Sequence, residues 1–269
     1  MLSSIIDGGA IILAVASAMS GAPEPELHTF HCLASCPIGA PATNDTIVRE
    51  IYTLSHNDIT RMADWVAYRV TAQTIGTGGS RVWRPDPWLS PDERLTEGSY
   101  TGAPRALRVD RGHQAPLASF SGTPHLADTN VLSNITPQAS ALNQGPWVRL
   151  ENLEREVART TTIYVLTGPL FERLMRPLPA EQGTHRVPSG YWKAVATADG
   201  RMTGFIFDQE TPRRSNHCDA RAPLAEIELR ARLILYPRAD ARPTRALDAE
   251  LGCATPAPPR PTFAEIPAE

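Results

Sequence analysis

Short runs in which apolar and β-branched residues alternate or cluster recur through the middle of the chain. They cover Ile47 to Leu54, Trp65 to Ala72, Ala106 to Asp110, Asn130 to Ile135, Thr162 to Thr167, Tyr191 to Thr197 and Met202 to Phe207. Gly, Pro or Asn separates most of them, which is the punctuation of strands joined by turns. Helical periodicity is rarer and covers Asn143 to Arg159, Leu224 to Leu233 and a short turn after His113. In the longest of these, Pro146, Leu150, Leu153 and Val157 fall within about 60° on a 3.6-residue wheel and predict a core-facing stripe. Beside it a ridge at four-residue spacing carries Asn143, Trp147, Glu151 and Arg155. Pro146 in the first turn makes Asn143 or its neighbour the expected cap. On this helix alone, a cap and a surface i,i+4 pair account for the polar residues. Irregularly spaced strands with few helices between them predict an α+β fold, with a mainly antiparallel central sheet flanked by helices.

Length and composition narrow this picture. The 269 residues are 42% hydrophobic and 20% charged, a globular composition, and no repeat or low-complexity linker divides them. Residues 23–253 are therefore expected as a single domain, and 25 prolines fit its short elements. The run Ala10 to Met19 is too short to cross a bilayer, but has the length of a signal-peptide core followed by small residues. Residues 1–22 are read as a signal peptide, although Met1 to Gly9 contains Asp7 and no Lys or Arg. Residues 254–269 hold five prolines and are expected as a flexible tail. An even count of four cysteines in an exported chain reads as two disulfides, for which three pairings exist. The pairing adopted is Cys32 with Cys36 and Cys218 with Cys253, against a zinc site built on the C-x3-C half.

A net charge of −3 and a pI near 6.2 exclude a globally basic polymer binder. They do not exclude a locally positive cleft around Arg81, Arg108, Arg111 and Arg155. Lys193 is the only lysine, a bias read as codon composition rather than mechanism.

Candidate chemistry gathers in three stretches: Arg108-Val109-Asp110-Arg111-Gly112-His113-Gln114-Ala115-Pro116, Leu132-Ser133-Asn134-Ile135-Thr136-Pro137-Gln138 and Leu142-Asn143-Gln144-Gly145. With the Asp-Arg-Gly-His tetrapeptide as signature, the sequence resembles the DNA/RNA non-specific endonuclease family, especially its secreted members with a ββα-metal active site. The likeness runs from about Phe30 to Cys253, through Arg81-Val82-Trp83 and Pro188-Ser189-Gly190-Tyr191-Trp192-Lys193, and both cysteine pairs match it.

The resemblance implies a Mg²⁺-dependent endonuclease, with Mn²⁺ as a substitute, that hydrolyses DNA and RNA to 5′-phosphate ends. His113 then resembles the general base, Asn143 the direct metal ligand and Glu151 the carboxylate that holds the hydrated ion through water. Arg81 resembles the arginine on the scissile phosphate. Arg111 and Arg155 match supporting substrate positions, and Asn134 a polar residue near metal and substrate. Asp110 reads as structural support of the His113 loop and Gly112 as required by backbone shape. The chemistry suits the residues: a phosphodiester needs an activated water, charge on the transition state and help for the leaving oxygen. A secreted or periplasmic protein free of the membrane after processing, and a homodimer, are further implications.

Two readings from other classes stand beside it: a non-catalytic nucleic-acid-binding module, and a phosphodiesterase restricted to small nucleotides. Departures from the family pattern are Pro146, Arg84, the proline-rich tail and the start without Lys or Arg. Of these, only Pro146 lies close enough to shift Asn143.

Overall fold

The computed structural model describes residues 26–181, 185–238 and 245–253, so the expected signal peptide and proline-rich tail lie outside the described residues. Ten strands form two sheets. They are β1 (Asp45–Val48), β2 (Thr53–Asn57), β3 (Met62–Val70), β4 (Val109–His113), β5 (Ile135–Ala139), β6 (Ile163–Leu170), β7 (Gly190–Thr197), β8 (Arg201–Asp208), β9 (Arg221–Ala222) and β10 (Arg245–Ala246). The large sheet runs β1-β2-β3-β6-β7-β8-β10, with β9 also on β8; all its pairings are antiparallel except β10 with β8. The small sheet is the β4–β5 hairpin. Among the described residues five α-helices accompany the sheets: α1 (Ala103–Leu107), α2 (Leu117–Phe120), α3 (Ser140–Leu142), α4 (Val148–Ala158) and α5 (Leu224–Ala231). The expected α+β architecture is the observed one.

Alternation along the central strands explains the layers. On β7, Tyr191 and Val195 point to one face while Trp192, Ala194 and Ala196 point to the other, and all are buried. The first face packs against α4 and the turn before it through Leu142, Trp147 and Leu150, together with Tyr68, Val165, Phe205 and Phe207. The second is covered by Ile227 of α5, Leu233, Leu235 and the loop containing Cys32 and Cys36. A third cluster, with Met62, Leu95, Tyr100, Val109, Leu132 and Ile135, supports the β4–β5 hairpin. Lys193 lies on β7 between Tyr191 and Val195, on the α4 face.

Several expected elements are corrected by tertiary contacts. The run Ile47 to Leu54 is two strands, because Arg49 closes the corner through its amide to Tyr52 O at 2.9 Å and pairs its buried guanidinium with Asp86 at 2.7 Å. Ala106 to Asp110 splits between α1 and β4 at Arg108, which adopts the left-handed conformation at φ 55°. Asn130 to Ile135 is mostly 3₁₀ turn, and a strand begins only at Ile135.

The helix expected from Asn143 is regular only from Val148. Gly145 breaks it at φ −115° and ψ −118°, where a Cβ would lie 2.6 Å from Arg213 O. Pro146 is therefore part of the kinked turn rather than the first turn of a regular helix. The Asn143 side chain does not cap α4, whose first residue follows Trp147 with no side-chain cap.

All four cysteines are oxidised, as Cys32–Cys36 and Cys218–Cys253, which rules out the zinc alternative. The bridges span 4 and 35 residues, and loop-closure entropy assigns them about 2 and about 4 kcal/mol respectively. Replacing Cys218 and Cys253 together by Ser is expected to lower the urea unfolding free energy by about 2–4 kcal/mol, more than the Cys32/Cys36 pair does. Equal losses, or a larger loss from the short bridge, would contradict this ordering.

Candidate active site

The β4–β5 hairpin, α3, the kinked turn and α4 together form a ββα unit beside a cleft of about 610 Å³. Strand β4 brings Asp110, Arg111 and His113 to it; the turn and α4 bring Asn143, Glu151 and Arg155; the segment before Asp86 brings Arg81 and Trp83. Cross-strand packing makes this hairpin possible. A Cβ on Gly112 would come within 2.7 Å of Gln138, so the glycine serves close approach between strands and not a left-handed backbone.

His113 is partly buried, with an edge open to the cleft. Its Nε2 lies 3.1 Å from Asn130 Oδ1. The Asn130 amide is oriented because Nδ2 donates to Ser80 O at 3.2 Å. An oxygen facing Nε2 requires that nitrogen to carry the proton, so Nδ1 is the unprotonated atom. Burial lowers the imidazole pKa to about 4, the Asn130 bond opposes this, and the nearby Arg81 charge adds to it. His113 is therefore neutral through the neutral range. The Trp83 ring stands beside it, with centroids 5.3 Å apart.

Asp110 lies on the same strand and acts on the other half of the unit. Its Oδ1 accepts from Ser140 Oγ at 2.6 Å, and its Oδ2 accepts from Asn143 Nδ2 at 2.9 Å and Gln144 Nε2 at 2.8 Å. With the amide nitrogen of Asn143 engaged there, its oxygen is the atom left for the cleft. The expected support of the His113 loop is thus corrected: the Asp110 carboxylate holds the turn that carries Asn143.

Glu151 sits two turns further along, only 8% exposed. Burial raises its pKa to about 7; Lys193 pulls it down, and Glu154 pushes it up. A neutral amide oxygen and a partly compensated buried carboxylate are hard oxygen donors, suited to a hydrated Mg²⁺ rather than to zinc. The residues present therefore fit such an ion.

Three arginines line the same space. Arg81 is exposed at the rim. The guanidinium of Arg111 lies 5.5 Å from the Trp83 centroid and 5.2 Å from that of Tyr100, and donates to Glu97 O at 3.3 Å. Arg155 bonds Asn152 and keeps a buried Nη1 with no protein acceptor. Arg108, in contrast, lines a neighbouring groove with Ala139, Ser140 and Gln209.

Asn134 is not brought to the cleft. It is fully buried, and its amide is spent on Ala115 N at 2.8 Å, Ala115 O at 3.0 Å and Thr129 O at 2.9 Å. The expected place near metal and substrate is corrected to a clamp on the chain leaving β4. Sequence reasoning missed Asn130, Glu154 and the burial of Lys193 beside Glu151 and Glu154. Lys193 did carry a signal, as a charge inside an apolar strand run, whereas Asn130 is visible only through its contact.

A family model for DNA/RNA non-specific endonuclease matches residues 34–238. The chain is 44% identical to "Nuclease" of Serratia marcescens over 230 residues, covering 82% of this chain and 86% of that one. It is 34% identical to the mitochondrial Endonuclease G of Homo sapiens over 138 residues, 49% of this chain and 45% of that one. Its fold is similar to a chain from the EndoG/EndoGI complex solved to explain EndoG inhibition. There the TM-score is 0.63 at 23% identity, covering 77% of this chain and 91% of that one.

Asp110→Ala removes the acceptor that holds Asn143 Nδ2 and Gln144 Nε2. Outer partners of this kind typically change metal affinity by about 10–100-fold, and a weakening in that range is expected for Mn²⁺ binding, with the circular dichroism spectrum unchanged. Wild-type affinity in the folded variant would refute the positioning role of Asp110.

Proposed function

The chain belongs to the DNA/RNA non-specific endonuclease family and is an endonuclease, and on that premise we propose a Mg²⁺-dependent enzyme that hydrolyses DNA and RNA to 5′-phosphate products. The observation that carries this reading is the pairing on one ββα unit of a neutral His113, held through Nε2, with an Asn143 oxygen freed by Asp110. When bound, the ion supplies charge to the phosphorane-like transition state and an acidic water for the leaving 3′ oxygen.

The side chains do the rest. His113 Nδ1 takes a proton from the attacking water, while Asn130 Oδ1 keeps the Nε2 proton and steadies the imidazolium that forms. Arg81 grips the scissile phosphate with a permanent charge and a fork of donors. Arg111, braced between Trp83 and Tyr100, and Arg155, with its unpaired buried Nη1, bind neighbouring phosphate oxygens. Contacts limited to phosphates leave base edges and the 2′ hydroxyl unread, which accounts for indifference to sequence and sugar.

Export to the periplasm or the medium, after loss of residues 1–22, belongs to the same proposal. It is supported by the two disulfides, the chemistry of an oxidising compartment. No helix among the described residues is long and apolar enough to cross a membrane. Residues 23–253 are proposed to act as one domain, and the dimer implied by the family resemblance is decided by a light-scattering mass.

Plasmid DNA and structured RNA should both be cut in Mg²⁺ and left intact in EDTA. His113→Ala should lose about 10²–10⁴-fold in rate, the usual contribution of a general base, while still folding and binding DNA. Near wild-type cleavage by that variant would remove His113 from the mechanism, and turnover of a nitrophenyl phosphodiester without loss of plasmid would favour small nucleotides as substrates. A pH effect follows from Glu151, which is ionised above about 7 and protonated below it. The Mg²⁺ concentration for half-maximal rate should therefore rise as pH falls from 8 through 7. A flat dependence would contradict the assignment of Glu151.

A further inference from the structure

The α4 face of the sheet buries three charged side chains in an otherwise apolar layer. Lys193 is 0% exposed, and its Nζ lies 3.0 Å from Glu154 Oε1 and 3.9 Å from Glu151 Oε1. The same ammonium stands 4.3 Å from the centroid of the Trp147 ring. Glu154 is also fully buried and receives Tyr68 Oη on its other oxygen at 3.3 Å.

Two carboxylates three residues apart on α4 therefore share one ammonium delivered by β7. Glu154 has two supports, the ammonium and the tyrosine hydroxyl. Among the described residues Glu151 has only Lys193 as a cation within 4.0 Å. An apolar interior keeps neighbouring carboxylates as anions only against a counter-charge, and removal of one partner leaves the other charge uncompensated. The lysine is fully buried beside Glu151, and strand pairing of β7 with β6 and β8 fixes its backbone.

We propose that Lys193 is a positioning residue for Glu151: anchored by Glu154 and the face of Trp147, its ammonium holds the Glu151 carboxylate in place at the cleft for a divalent cation. This rests on the reading of Asn143 and Glu151 as the cation site. The plainer alternative is that Lys193 neutralises Glu154 and nothing more.

Two variants separate these roles, Lys193→Met alone and Lys193→Met with Glu154→Gln, the second removing the Lys193–Glu154 pair without stranding Glu154 as an anion. Mn²⁺ binding to the substrate-free, full-length protein is followed by electron paramagnetic resonance, with thermal melts to establish folding. Asn143→Ala is the control for the site itself. Both Lys193 variants are expected to bind Mn²⁺ about 10–100-fold more weakly than wild type, the range seen when an outer partner of a metal site is lost. The Mn²⁺ concentration for half-maximal cleavage should rise in parallel, with a smaller change in kcat at saturating metal.

Wild-type affinity in Lys193→Met, or recovery of affinity in the double variant, would overturn the proposal and leave Lys193 as the counter-ion of Glu154. If Lys193→Met does not fold, the double variant alone decides, weak binding supporting the proposal and normal binding refuting it. Normal Mn²⁺ binding by Asn143→Ala would instead overturn the underlying cation site, and the Lys193 proposal with it.

Discussion

Asp110 joins the two halves of the ββα unit through three hydrogen bonds, from Ser140, Asn143 and Gln144. The turn they hold needs that help, because Gly145 breaks the helix, Pro146 lacks an amide proton and α4 begins without a side-chain cap. A carboxylate acceptor makes each of these bonds stronger than its neutral counterpart. Asp110 and His113 lie on one short strand, so the same element places the His113 imidazole and, through Asp110, the Asn143 amide. Their relative placement is thus a property of β4 rather than of a flexible loop.

Burial then sets the charges. His113 is kept neutral because an imidazolium is costly in its partly closed position, and Glu151 is kept close to its protonation threshold by the same desolvation. The lysine and glutamate behind the site compensate one another in the core, so the charge facing the cleft is determined by neighbours that never touch solvent. Net charge plays little part. An overall −3 coexists with Arg81, Arg111 and Arg155 around one cleft, because attraction for phosphate is decided over a few ångströms while the rest is screened by salt.

Much of this was legible in the chain. The alternation that builds the central sheet is local enough to read, while the disulfide pairing and the convergence of Arg81, His113, Asn143, Glu151 and Arg155 were implied by the family resemblance. What was not legible depends on partners distant in sequence. The break at Gly145 comes from the backbone of Arg213, the burial of Asn134 from bonds to Ala115 and Thr129, and the orientation of His113 from Asn130 and Ser80. Lys193 shows the difference most plainly. As a residue count it pointed to codon composition, whereas the fold buries its ammonium 3.0 Å from Glu154 and 3.9 Å from Glu151.

The central claim is that Asp110 turns the Asn143 oxygen toward a hydrated cation that Glu151 holds through water. A crystal structure of the protein soaked in Mn²⁺, read by anomalous scattering, tests it most directly. A single peak is expected in the cleft, with Asn143 Oδ1 as the only protein ligand and a water between the ion and Glu151. A peak coordinated directly by Asp110 or Glu151, with the Asn143 amide turned away, would contradict it.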